Sequence, residues 1–221
     1  MDSLQHWWQP FLVGALDTLI YCVISFPLAL LLGLLLSVMK GSRFTWLSTP
    51  ARIFIEIFRN TPIVTQIFLI YYGFGAILAN YNLSQFDNAW VAGVLCLALN
   101  YAAYEAEVFR AGFLSVERGQ TEAAYSLGLS GGQNFWRIVF PQATPLMIPP
   151  FVNDFIYMLK DSAIISVISG TELTSIMQRA TFLSSSNTFP LYLMGLALYL
   201  VMSLPISFVA RFFERRLRAA L

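Results

Sequence analysis

Charge is what this sequence has least of. Asp, Glu, Lys and Arg make up 11% of its 221 residues, where a soluble domain carries about 25%. Histidine is almost absent, His6 being the single one, and the two cysteines, Cys22 and Cys96, form no CxxC pair. A zinc or haem centre therefore has almost no ligands to draw on, and a catalytic triad has no histidine deep in the fold to act as base. No GxxxxGK[ST] run is present to cradle a nucleotide's phosphates. The first ten residues, MDSLQHWWQP, contain no Lys or Arg, and no small-residue cleavage site follows a short apolar core, which argues against a secretory signal peptide. The expectation is a chain with no catalytic residues, no metal and no cofactor of its own, and not an enzyme.

What fills the space is hydrocarbon. The hydrophobic fraction is 57% and the mean hydropathy +0.66. Apolar runs at roughly 11–39, 51–78, 89–104, 145–159 and 191–210 are long enough to cross a ~30 Å bilayer core, or nearly so. They predict an all-α, polytopic membrane protein of about five transmembrane helices. Trp7 and Trp8 precede the first run, where an interfacial aromatic anchor belongs. Of the 13 basic residues, Lys40, Arg43, Arg52 and Arg59 follow the first run, Arg110, Arg118 and Arg137 the third, and Arg211, Arg215, Arg216 and Arg218 the fifth. Only Lys160 and Arg179 fall in the other compartment. The positive-inside bias then puts the N-terminus outside and the C-terminus in the cytoplasm, as an odd number of spans requires. Residues 1–221 read as one membrane domain, with a short outer loop at 80–88 and a longer outer stretch at 160–190. That stretch is expected to form a re-entrant or surface helix followed by a Ser/Asn loop. Cys22 and Cys96 sit inside apolar runs as small hydrophobes, and the arginine-rich tail suits a lipid surface.

The longest inner connection, about residues 112–142, holds the stretch QTEAAYSLGLSGGQNFWRIVFP. Glu122 to Leu127 are mostly helix formers, Gly128 suits a helix end, and Ala123 and Ala124 make a face of little bulk that fits another protein's groove. Gln120, Glu122, Ala123, Ala124, Gly128, Ile138 and Pro141 stand at the spacing E-A-A, three residues, Gly, nine residues, Ile, one residue, Leu-Pro, with Phe140 in place of the Leu. This pattern resembles the EAA loop of bacterial ATP-binding-cassette importer permeases. Three further stretches narrow the resemblance to the polar amino acid uptake branch, which includes histidine-, glutamine- and arginine-type permeases. They are Phe58-Arg59-Asn60-Thr61-Pro62, Ala103-Tyr104-Glu105-Ala106-Glu107-Val108-Phe109-Arg110, and Asn153-Asp154-Phe155 leading to Leu159-Lys160-Asp161-Ser162. Together the motifs cover most of residues 10–215.

Depth follows from the helical rise. If the second span enters near Ala51 and the fourth near Pro145, Pro62 lies roughly 16 Å in and Asp154 at about the same depth, close to the bilayer midplane. Pro62 breaks the helix there and frees carbonyls. Asp154 and Asp161 are two turns apart, so both face one side, and Lys160 lies close to it. Charges inside a membrane are costly and usually line a cavity or pair with one another. An amino acid zwitterion presents both signs, so Lys160 is expected to meet a carboxylate, and Asp154 or Asp161 an ammonium or guanidinium. Thr61, Gln66 and Ser162 are candidates for neutral hydrogen bonds. Another reading stays open, in which Lys160 and Asp161 mark the membrane edge and Asp154 bonds a neighbouring helix. Glu56 with Arg59, and Glu107 with Arg110, are expected to pair at i,i+3.

The resemblance implies a type I importer transmembrane domain in a bacterial inner membrane, working by alternating access. Its partners would be cytoplasmic ATP-binding subunits that hold ATP and Mg, and a second permease, identical or paralogous. Outside, a soluble or lipid-anchored binding protein would dock on the loops at 80–88 and 162–190. The substrate would be a polar amino acid, with a slight lean to basic ones. The rival reading is an ion-coupled secondary carrier using Asp154 and Asp161 as coupling carboxylates.

Overall fold

The computed structural model describes residues 2–75, 77, 88–184 and 188–220; the side chains of 2–5 and 213–220 fall outside that description. All regular structure among the described residues is helical. The first helix, α1 (Asp2–Lys40), is apolar on every side and holds two prolines, Pro10 and Pro27. It lies along α4 (Ala89–Leu114), whose N-terminus is capped by the Asn88 side chain accepting from the Trp90 N–H at 2.8 Å. Lipid tails are as apolar as leucine, so two such helices associate through close packing and hydrogen bonds rather than by escaping water. Gly33 supplies the closeness: a Cβ there would lie 2.7 Å from Glu105 Cβ and 3.1 Å from the Ala102 carbonyl. Ser25 supplies a bond, its Oγ donating to the Val94 carbonyl at 3.2 Å.

The second run is broken. Helix α2 (Thr45–Asn60) stops at Thr61 and Pro62, both extended, and α3 (Ile63–Phe68) runs on through a wide π-type turn to Gly75. The two pieces meet at 112°. Beyond α4 come the short α5 (Arg118–Ser126) and α6 (Gly131–Asn134), a π-type turn at Phe135–Val139, and α7 (Phe140–Asp161). A 3₁₀ stretch, Ser162–Ile168, a left-handed Ser169 (φ 61°) and the cap residue Glu172 lead into α8 (Leu173–Leu183); α9 (Phe189–Ala220) closes the chain.

Among the described residues, α1, α4 and α9 are each long and apolar enough to cross a membrane, and the bent α2–α3 pair counts as a fourth if its two pieces make one span. The expected fifth, α7, has 22 residues, but Pro145, Pro149, Pro150, Asn153, Asp154, Lys160 and Asp161 dilute its apolar character. The expected helix in 160–190 is α8. It folds back on α1, where the Leu173 N–H donates to Thr18 Oγ1 at 3.1 Å. The expected outer loop at 80–88 lies, but for Asn88, outside the described residues, as does most of the Ser/Asn loop.

Cys22 and Cys96 are fully buried with Tyr21, Leu97, Met158, Leu159 and Ile165 in the largest apolar cluster, as small hydrophobes. Residues such as Leu16, Val23, Leu31 and Leu35 on α1, and Leu196, Val201 and Phe208 on α9, point outward, as lipid-facing side chains do. The α1–α4 contact gives a direct test. Gly33→Val overpacks it, an error that costs about 1–3 kcal/mol. Thermal unfolding in detergent should therefore show a clearly lowered midpoint for Gly33→Val and little change for Leu31→Val on the outer face.

Candidate functional site

Proline 62 cannot donate to the carbonyl four residues behind it, Phe58, and in hydrocarbon no water replaces the lost bond. Two side-chain amides do. Gln66 Nε2 lies 2.9 Å from the Phe58 carbonyl, and Asn100 Nδ2 of α4 lies 3.4 Å from the same oxygen. Gln66 Nε2 is also within reach of the Thr61 carbonyl (3.1 Å) and of Thr61 Oγ1 (2.9 Å), while Asn100 donates to Gln66 Oε1 at 2.9 Å. Thr61 Oγ1 in turn donates to the Ile57 carbonyl at 2.8 Å. The break is thus held open by a closed set of polar partners.

Around it lies a cavity of about 350 Å³, lined by Thr61, Pro62 and Ile63 at the break, Asn100, Tyr101 and Tyr104 of α4, and Asp154, Tyr157 and Asp161 of α7. The two carboxylates expected to share a side do share this cavity. Tyr101, nearly buried, donates its hydroxyl to Asp161 Oδ2 at 2.8 Å. Lys160 is not part of the lining; its Nζ sits 4.3 Å from the ring centre of Tyr157, which is. Among the described residues no cation lines the cavity, and two lie against tyrosine rings that do. Arg59, for instance, is 5.6 Å from the Tyr104 centroid.

Two of the proposed neutral ligands are committed elsewhere. Gln66 is buried, and its amide is occupied by the break. Ser162 is fully buried, with its Oγ donating to the Leu159 carbonyl at 2.8 Å, because the chain tightens into a 3₁₀ turn there. Thr61 alone of the three reaches the cavity. The structure also corrects one ion pair: Glu56 Oε2 accepts from Asn60 Nδ2 at 2.9 Å rather than meeting Arg59. The other pair forms, Arg110 donating to Glu107 Oε2 at 2.7 Å, and Lys40 from the end of α1 binds the second oxygen of the same carboxylate. Sequence reasoning left out Tyr101, Tyr104 and Tyr157; three tyrosines spaced to reach one pair of acids were the available signal. Glu105, one turn from Tyr101, is fully buried with neither carboxyl oxygen hydrogen-bonded.

The polar stretch at residues 120–141 forms a separate feature. Helix α5 ends in a Schellman motif: the Gly128 N–H donates to the Tyr125 carbonyl at 2.9 Å and the Leu129 N–H to the Ala124 carbonyl at 3.1 Å. That motif needs a left-handed residue, and Gly128 has φ +78°. Gln120, Glu122, Ala123, Gly128 and Pro141 are exposed, Ile138 is half-buried, and Ala124 turns inward. Asn134, buried, reaches Thr121 Oγ1 at 3.5 Å, and Ser130 and Gln133 form a capping box. The Phe140 ring packs tilted at 5.1 Å from Trp136 and 5.9 Å from Phe135, so the aromatic departure from the Leu of the pattern sits within an aromatic cluster. Leu127 and Trp136 are left strongly exposed.

A bundle of apolar helices, with a polar cavity at a helix break and an exposed, hydrogen-bonded loop, has the build of a membrane transport component. The chain belongs to the family described as "Binding-protein-dependent transport system inner membrane component", whose family model matches residues 29–219. It is 36% identical over 215 residues to the arginine transport system permease protein ArtQ of Bacillus subtilis, covering 95% of this chain and 94% of that one. It is 38% identical over 213 residues to the octopine transport system permease protein OccM of Rhizobium radiobacter, covering 93% and 85%. Among solved structures, a chain in the crystal structure of an amino acid ABC transporter with histidines superposes with a TM-score of 0.87 at 36% identity, covering 97% of both chains. A chain of the inward-facing MetNI methionine ABC transporter superposes at 0.77 with 18% identity, again covering 97% of each. At that identity the second match speaks for the shared fold alone.

The brace at the break carries its own prediction. Gln66→Leu and Asn100→Leu should each destabilise the protein, since each breaks the Asn100–Gln66 bond and leaves the other amide short of a partner, at a cost of about 1–3 kcal/mol. Because both single variants lose that same bond, the double variant should lose less than the sum. Thermal or denaturant unfolding of the four proteins in detergent measures this.

Proposed function

We propose that this chain is the transmembrane permease subunit of an ATP-driven importer of polar amino acids, with a preference for basic ones. The observation that carries the substrate reading is the cavity at Pro62, where Asp154 and Asp161 stand among three tyrosines and no cation intrudes. A guanidinium or ammonium finds carboxylates and ring faces there, both of which attract cations. Lys160, beside Tyr157, is the group for the substrate's carboxylate. Thr61 adds a neutral contact, and Gln66 acts through the shape of the break. Ser162 belongs to the packing beneath. The names of the arginine and octopine permeases support a substrate of this kind.

The motor is a separate polypeptide. Cytoplasmic ATP-binding subunits, holding ATP and Mg, dock on the loop at 112–142, with Gln120, Glu122, Ala123, Ala124, Gly128, Ile138 and Pro141 at or under the contact. ATP hydrolysis there swings the bundle between outward- and inward-open states. A second permease, identical or paralogous, faces this one across the pathway. A soluble or lipid-anchored binding protein delivers the amino acid at the outer loops. The protein sits in a bacterial inner membrane with its N-terminus outside, α7 completing five spans. The ion-coupled carrier reading explains Asp154 and Asp161 but gives the exposed loop no task, and the family carries out binding-protein-dependent transport.

Two experiments test this. Removing one charge-assisted bond costs about 1.5–3 kcal/mol, so Asp154→Asn or Asp161→Asn should raise the half-saturating concentration for arginine roughly 10- to 100-fold while affecting glutamine little. ATPase stimulation of the reconstituted complex, scanned across all twenty amino acids, reads this out. If both variants keep arginine stimulation intact, the basic preference is wrong. For the coupling loop, a side chain at Gly128 meets nothing within 4 Å in this chain, so Gly128→Arg adds only backbone strain of about 1–2 kcal/mol. Loss of the ATPase on co-purification from Gly128→Arg, with retention in Gly128→Asn, which tolerates positive φ, is the expected result. An ATPase retained by both would sink the docking role.

A further inference from the structure

Helix α8 enters a slot between α1 and α9 that has no room to spare. A Cβ at Gly14 of α1 would lie 2.9 Å from Ile176 Cγ1 and 3.0 Å from Leu173 Cα, and one at Gly195 of α9 would lie 2.7 Å from Met177 Sδ. Phe11, Ala15, Leu173, Ala180 and Leu191 fill the space between with apolar side chains. At the head of this slot sits an acid. Glu172, the N-cap residue of α8, is fully buried. Its Oε1 accepts from the Ser175 N–H at 2.6 Å, and its Oε2 from the Thr174 N–H at 2.7 Å and from the Tyr199 hydroxyl of α9 at 3.1 Å. Thr174 Oγ1 meets the same hydroxyl at 2.8 Å. Helices α8 and α9 thus meet on this carboxyl, and Thr18 of α1 holds the N–H of the next residue, Leu173.

No positive charge answers it. Among the described residues Glu172 has no ion pair. The ionisable groups on the elements packed around it are Asp17 and Tyr21 of α1 and Tyr199 of α9, and the 3₁₀ stretch Ser162–Ile168 carries none. Arg179, the basic residue of α8, is exposed and about two turns away. The N–H donors and the positive helix end favour the carboxylate, while burial without a cation disfavours it. Burial wins, pushing the Glu172 carboxyl up from 4.5 to about 7. Such a carboxyl holds its proton more tightly when α8 is seated than when the helix end is released into water. The seated state is therefore favoured in full below about pH 4.5, loses favour as the pH rises to about 7, and changes no further above that. We propose that Glu172 is a proton-operated tie: taking up a proton seats α8 against α1 and α9, and giving it up loosens the helix. Only residues 162–171 separate Glu172 from Asp161 of the cavity, so the 3₁₀ stretch carries the loosening toward the site. That the proton comes from outside the cell rests on the orientation given under Proposed function.

Hydrogen–deuterium exchange of the permease, purified with its ATPase in detergent, tests this. Seating of α8 is read as protection of amides 173–183, corrected for the intrinsic pH dependence of exchange. In the wild type that protection should fall roughly 10- to 40-fold between about pH 5 and about pH 7 and then level off. Glu172→Gln cannot ionise and should keep its protection within about threefold over the whole range. Tyr199→Phe removes one donor from the carboxylate, so its fall should continue past about pH 7; it serves if the glutamine variant fails to fold. Asp17→Asn, at the other acid nearby, should leave the profile as it is. A flat wild-type profile overturns the proposal, as does a fall that persists in Glu172→Gln, an unshifted profile in Tyr199→Phe, or one that vanishes in Asp17→Asn. The compartment is tested separately: a membrane-impermeant thiol reagent should label Arg179→Cys from outside. Labelling from inside alone would overturn the orientation and leave the tie standing.

Discussion

The rest of the structure depends on how one carbonyl is satisfied. Pro62 takes a donor away from Phe58, and a membrane interior offers no water to replace it. Most helices that meet this problem stay helical and kink. Here α2 ends, two residues run extended, and α3 leaves at 112°. That departure is possible because Gln66 folds back to the abandoned carbonyls and Asn100 reaches across from α4 to hold Gln66 in place. The break is therefore a two-helix object. A change on α4 alters the path of α2–α3, and with it the floor of the cavity.

Once the break is fixed, the electrostatics of the cavity follow. Thr61, Pro62 and Ile63 form one wall, and α4 and α7 present the tyrosines and the two acids opposite. Asp161 is steadied by Tyr101, whose hydroxyl donates to it. Arg59 lies against the Tyr104 ring and Lys160 against the Tyr157 ring, and neither basic residue lines the cavity. Asp154 and Asp161 thus share a cavity whose lining, among the described residues, holds no cation. At the far end of α4, Glu107 takes the opposite course, satisfied by both Lys40 and Arg110. Helix α4 thus presents Asn100, Tyr101 and Tyr104 to the cavity and holds a closed ion cluster nearer the loop that leads to α5.

Local chemistry was readable from the sequence, and rotation about helix axes was not. The apolar runs, the break at Pro62, the shared face of Asp154 and Asp161, and the helix end at Gly128 each follow from a few neighbouring residues. Gln66 shows where that ends. Beside a proline it reads as a free amide in a pathway, and only the position of α4 shows that Asn100 and Phe58 already occupy it. Glu56 found Asn60 instead of Arg59 because Arg59 turns toward Tyr104, a partner 45 positions away. Ser162 was misplaced because α7 tightens into a 3₁₀ turn after Asp161 and draws the hydroxyl back to Leu159.

The central claim is that the cavity at the Pro62 break is where the transported amino acid sits. A cysteine at Ile63, apolar and on the cavity wall, measures this most directly in the assembled complex, with Cys22 and Cys96 protected by burial. Alkylation of Ile63→Cys by a small cationic thiol reagent should slow severalfold in the presence of arginine, and slow less with glutamate. An alkylation rate indifferent to every amino acid that the complex transports would contradict the account.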